Sequence, residues 1–151
     1  MHATAPRNPE FDRLFEGTLY SLLSWSQLTH FWQNLDPAAG WYLYALGEAR
    51  PEIPADAGHV RAFIQRIDEL LRKEHDEDYC GIVYADDLES PSLIKIYDPH
   101  HLGTSCGSGK HRILPGWIMS RVPPSDLQTT QIVPQNRKRW WQGFADFISG
   151  N

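Results

Sequence analysis

Cysteine is scarce, an excess of positive charge is missing, and no long apolar run occurs. Each absence removes a class of protein. Two cysteines in 151 residues are too few for the disulfide framework that small secreted domains use in place of a large core. With 14 Lys and Arg against 19 Asp and Glu, the formal net charge is −5. The chain therefore lacks the cationic field that general binding to a phosphate backbone requires, and nucleic acid is not an expected partner. No apolar run approaches the roughly 20 residues that a helix needs to cross a bilayer, so no membrane partner is expected either. The opening residues MHATAPRNPE show neither the basic start nor the apolar stretch of a secretory signal. Together these absences lead us to expect a soluble, cytoplasmic protein in which Cys80 and Cys106 are reduced thiols.

What is present is a full complement of core formers. The chain is 41% hydrophobic, with six each of Trp, Tyr and Phe, and its length suits one domain. We expect a disordered N-terminus over residues 1–8 and one globular domain over 9–151. No internal repeat or low-complexity tract divides it. Pro-rich loops stand at 50–54 and 123–134.

Periodicity supplies the elements. Asn8, Pro9 and Glu10 read as a helix cap, a first-turn proline and a first-turn acid. Phe11, Leu14, Phe15, Thr18, Leu19, Leu22 and Leu23 then share one helical face, which predicts a helix running through Leu23. Ser24 and Gln27 have capping-box spacing, and a second helix carries Leu28, Phe31, Trp32 and Leu35 until Asp36-Pro37 stops it. The stretch 40–49 fits strand and helix equally. A strongly amphipathic helix follows, with Val60, Phe63, Ile64, Ile67, Leu70 and Leu71 inward. The runs YCGIVYA and SLIKIY flank the turn formers DDLESP and predict a β-hairpin at about 79–97. WIMSRV at 117–122 adds a strand that Pro123-Pro124 ends. A last helix carries Trp140, Phe144, Phe147 and Ile148 on one side. The expected class is α+β: a small antiparallel sheet of three or four strands packed against amphipathic helices.

One stretch has unusual chemistry. HHLGTSCGSGKH, at 100–111, holds three histidines, a cysteine, a lysine and three glycines. It is no phosphate loop, because Thr104 stands where the first glycine of that motif belongs and His111 follows Lys110 where Ser or Thr is required. Lys110 and the glycine amides form at most a looser anion nest. Asp98, His100, His101, Cys106 and His111 have the donor types of a Zn or Fe site, although no ligand pair has the spacing of structural zinc. Cys106 is also a candidate nucleophile, with Lys110 lowering its pKa and His111 or His101 as base. Cys80 reads as a small core hydrophobe; a stress-induced disulfide with Cys106 is the competing idea. The acids from Glu74 to Asp78, and Asp86, Asp87 and Glu89, read as solvated turns.

The last helix carries a second signal. Arg137, Lys138 and Arg139 fall in its first turn, where the helix dipole disfavours positive charge by a few tenths of a kcal/mol; the simpler reading leaves them solvated while the aromatics dock on the core, and the competing one has them serve an acidic partner, phosphate or carboxylate. Arg137, Arg139, Trp140 and Trp141 are the candidate contacts with a partner protein. Two functions follow from these readings. The first is a non-enzymatic accessory or protein-interaction module, serving a metalloenzyme or redox system. The second is a small enzyme or redox or metal-binding protein that uses the loop 98–111.

Overall fold

Asn8 caps the first helix as its sequence suggests, accepting the Glu10 amide at 3.1 Å. The computed structural model describes residues 7–100, 114–127 and 135–149, with the side chains of the last helix described as far as Phe144. Helix α1 (Pro9–Glu16) buries Phe11 and Phe15. It is shorter than its periodicity predicts, because the Gly17 amide closes on the Leu14 carbonyl at 3.2 Å. A Cβ at Gly17 would lie 2.9 Å from the Arg13 carbonyl oxygen, so only glycine lets the chain leave the helix along this path. Tyr20 and Ser21 form strand β1 (Tyr20–Ser21). Leu22 is buried, but from an extended backbone, whereas Leu23 is 65% exposed. A helical repeat and an edge strand bury overlapping residues here, and strand pairing decides between them.

Helix α2 (Trp25–Asn34) is capped by Ser24 as expected, while the reciprocal arm of the capping box lands one residue earlier, on Leu23. Ser24 Oγ accepts the Gln27 amide at 2.9 Å, and Gln27 Oε1 reaches back to the Leu23 amide at 2.9 Å. The ambiguous stretch is strand β2 (Tyr42–Ala45). Helix α3 (Ala57–Glu74) is capped by Asp56 and buries Val60, Phe63, Ile67, Leu70 and Leu71. The predicted hairpin is β3 (Val83–Ala85) and β4 (Leu93–Ile96). Its turn is drawn closed by two carboxylates. Asp86 Oδ1 accepts the Ser92 and Leu93 amides at 2.7 and 2.9 Å, and Asp87 Oδ1 accepts those of Glu89 and Ser90. Strand β5 (Trp117–Ser120) and helix α4 (Gln135–Ser149) complete the described elements.

The strands make one antiparallel sheet in the order β1-β3-β4-β5-β2, and with four helices the class is α+β. Five strands form where the sequence predicts three or four, because helical spacing runs on through the residues of β1 and the stretch holding β2 fits either period. Side chains alternate between faces along each strand. Leu43, Met119, Ile94 and Ala85 are paired across β2, β5, β4 and β3 and face the larger core, which α2, α3 and α4 cover. Tyr44 and Ile118 point the other way, where Leu93 and helix α1 form a smaller core. Lys95 stands on that side with its ammonium 3.7 Å from the Phe15 ring centroid. Among the described residues, no helix is long and apolar enough to cross a membrane.

The segment 123–127 straps α1 down. Asn8 donates its amide to Ser125 Oγ at 2.8 Å, Ser125 Oγ donates to Asp12 at 2.7 Å, and the Leu127 amide reaches the Tyr44 hydroxyl at 2.9 Å. Arg7 pairs with Asp12 at 2.9 Å. Arg7 and Asn8 are thus tied to α1 and to the segment 123–127, and residues 1–6 of the expected disordered N-terminus lie outside the described residues.

Candidate functional site

Helix α4 begins with a cation that its own dipole disfavours. Arg137 is only 6% exposed and inserts between two carboxylates from different elements. Its Nη1 and Nη2 donate to both oxygens of Glu74, on the last turn of α3, at 3.0 and 2.8 Å. Its Nε and Nη2 donate to both oxygens of Asp98, just beyond β4, at 2.8 and 3.1 Å. The planar fork of the guanidinium suits this double bidentate contact, which a lysine could not reproduce. His100 closes the cluster: its amide donates to Asp98 Oδ1 at 2.9 Å and its Nε2 meets Glu74 Oε1 at 2.5 Å. The negative counterpart that Arg137 calls for is therefore inside the molecule.

Electrostatics agree with the geometry. Burial alone would lower the Arg137 pKa, but the hydrogen bonds from Glu74 and Asp98 more than reverse this, and the guanidinium is held more firmly charged than usual. The Glu74 carboxyl is pulled below its ordinary value, first by Arg137 and, against the opposing effect of burial, also by His100. Asp98 is 4% exposed, so loss of Arg137 would strand a carboxylate in the interior.

The cluster sits at the stem of the β4–β5 connection. The Gly116 amide donates to the Ile96 carbonyl at 2.9 Å, and a Cβ on Gly116 would lie 3.2 Å from the Asp98 Cβ. The two stems leave the sheet in close contact, and the donor-rich segment joins them. Beside the cluster, a groove of about 550 Å³ runs between α3 and α4, lined by Arg66, Glu69, Lys73, Glu74 and Trp140 among others. The Arg66 guanidinium stands 5.9 Å from the Trp140 ring centroid. Lys138 and Arg139 are exposed.

The sequence-derived candidates separate accordingly. Asp98 and His100 are brought together, held by Arg137 and Glu74. Of the proposed contacts on α4, Arg137 faces inward; Trp140 packs edge-on to Trp117 and Trp141 to Phe63, and both remain half-buried. His101, Cys106, Lys110 and His111 lie outside the described residues, and with them the nucleophile, the anion nest and most of the donor set. Among the described residues, no group of three or more His, Cys, Asp or Glu could hold a metal ion. Cys80 is fully buried in the larger core, and burial raises its thiol pKa despite the Ile82 and Val83 amides. Its disulfide with Cys106 depends on a residue outside the described ones. Glu74 is the member that sequence reasoning did not single out. In the sequence it reads as one of the solvated acids at a helix end, and the signal that points to it is the positive charge of Arg137 in a helix first turn.

No protein-family model matches the chain, and neither a curated protein nor a solved structure matches it.

Proposed function

We propose that the protein is an interaction module, an accessory chain that docks on another protein through the end of the molecule where α3, α4 and the β4–β5 connection meet. The observation that supports this reading is the Glu74–Arg137–Asp98–His100 cluster. A buried ionic cluster adds little net stability compared with apolar packing of the same volume; what it supplies is a fixed geometry. Here it fixes the first turn of α4 against the stem of the segment 101–113. Lys138 and Arg139 are exposed on the same helix as Trp140, which lines a groove whose walls mix aromatic, cationic and acidic groups, as the rim of a non-obligate interface does.

A photo-crosslinking amino acid at position 69, 73 or 139, compared with one at position 53 in a distant loop, tests it. Crosslinking of one defined partner from the first three positions and not from the fourth supports the reading. Equal crosslinking from all four, or none, refutes it. Purified partner should then bind the Lys138→Glu/Arg139→Glu variant more weakly than the parent.

A second reading is favoured by the placement of Asp98 and His100, fixed side by side where the donor-rich segment begins. In it the segment is a metal or thiol site. Stoichiometric Zn or Fe in protein purified without a histidine tag, or a Cys106 thiol titrating well below about 8.5, would support this reading over docking alone.

A further inference from the structure

Beyond the docking end, the turn after α3 carries a second surface with different chemistry. Five large hydrophobic side chains are exposed among the described residues, and two of them, Leu23 and Tyr79, are 65% and 56% exposed and belong to the two backbone segments that come together at this turn. The Leu23 carbonyl accepts the Cys80 amide at 2.8 Å, which joins the backbone of Leu23 to the residue that follows Tyr79. Two further aromatics continue the patch: the His75 ring lies edge-on to Tyr79 and to Trp25, each at 6.0 Å between centroids. The Trp25 indole donates to the Glu77 carbonyl at 3.1 Å, and His75 Nε2 meets the Cys80 carbonyl at 2.9 Å. The turn is thus a built structure and its apolar groups are held in place.

Its charge is one-sided. Asp76, Glu77 and Asp78 are all exposed and their carboxylates have no partner among the described residues. The cation packed against the patch, Arg72, lies 5.1 Å from the Trp25 ring centroid and is already bonded to Asp68 and Thr29. Lys73, one residue on, lines the α3–α4 groove. An exposed aromatic ring flanked by three uncompensated carboxylates is complementary to a cation that brings apolar surface with it. The ring offers its π face and the acids supply the field.

We infer that the Leu23–Trp25–His75–Tyr79 patch, with Asp76, Glu77 and Asp78, binds a basic polypeptide segment of a partner protein, one that carries Lys or Arg next to an apolar side chain. The cation sits over Tyr79 between Asp76 and Asp78, and the apolar neighbour covers Leu23. This surface is separate from the α3–α4 groove, so either can fail without the other.

The test uses the full chain and a fluorescent peptide of alternating Arg and Leu, followed by anisotropy, with a peptide carrying Gln at every Arg as control. The expected result is saturable binding of the Arg peptide alone, weakening as salt rises. Tyr79→Ala should weaken it about tenfold, the loss of a central aromatic anchor. Asp76→Asn/Asp78→Asn should weaken it as well, while Glu10→Gln/Glu89→Gln, which removes the same charge from exposed sites elsewhere, should not. Absence of saturable binding, equal binding of the Gln peptide, or equal effects of the two charge-removing pairs would overturn the inference. So would sedimentation showing that the chain self-associates and that Leu23→Ser abolishes this, since the occupant would then be a second copy.

Discussion

Arg137 shows how a single residue can look like surface chemistry in the sequence and serve the interior in the fold. Its position in the first turn of α4 fits solvation or a nearby carboxylate or phosphate, and a weak signal of sign carries no address. Glu74 is 63 residues away and Asp98 39, distances over which no local pattern reports. Because both carboxylates depend on one guanidinium, Arg137→Ala should cost about 3–5 kcal/mol, the loss seen when one partner of a buried pair is removed; urea denaturation measures it. Arg137→Met combined with Asp98→Leu should recover part of that loss, as no charge is then left buried. The depressed Glu74 pKa has a further consequence. Its stabilisation is fully present above the ordinary value of 4.5 and is lost as pH falls through the lower folded value. Glu74→Gln should therefore flatten the acid limb of the stability profile, and thermal melts between neutral pH and about pH 3 would show it.

At the scale of elements, the sequence is most informative where local chemistry and tertiary packing agree. The caps at Asn8 and Ser24, the α3 stripe and the β3–β4 hairpin were all legible, since each rests on residues a few positions apart. The hairpin turn depends on side-chain acceptors, so Asp86→Ala should leave the Ser92 and Leu93 amides unpaired and cost about 1–3 kcal/mol. The part that misled was the stretch from Thr18 to Leu23, where helical spacing continues past the true end of α1. Gly17 marks that end. Gly17→Ala would force a Cβ against the Arg13 carbonyl and should destabilise by about 1–3 kcal/mol, as overpacking does. A calorimetric melt unchanged by this substitution would show that the helix end can shift to absorb the methyl group.

For the whole molecule, the larger core makes α4 more than an appendage. Phe144 is buried in the larger core, Trp140 meets Trp117, and Arg137 neutralises Asp98. A chain ending before residue 135 should thus lose cooperative unfolding or show a clearly lower urea midpoint. An unaltered midpoint would mean that α4 docks without contributing to the fold. Loss of a partner on such a truncation would report unfolding rather than docking, and point substitutions at Lys138 and Arg139 are the sound test of the interface.

The sequence by itself determined the class of fold, most of the helix starts, the central hairpin, and the presence of an unusual donor-rich segment, because turn chemistry, capping and the 3.6- and 2-residue periods act over a few residues. Tertiary structure alone decided that residues 20–21 and 42–45 become the edges of a five-stranded sheet. Strand pairing spans long separations, and the edge is chosen by the partner it meets. It alone also decided that Arg137, Glu74, Asp98 and His100 form one cluster, since three elements from distant parts of the chain must first pack before their charges can meet.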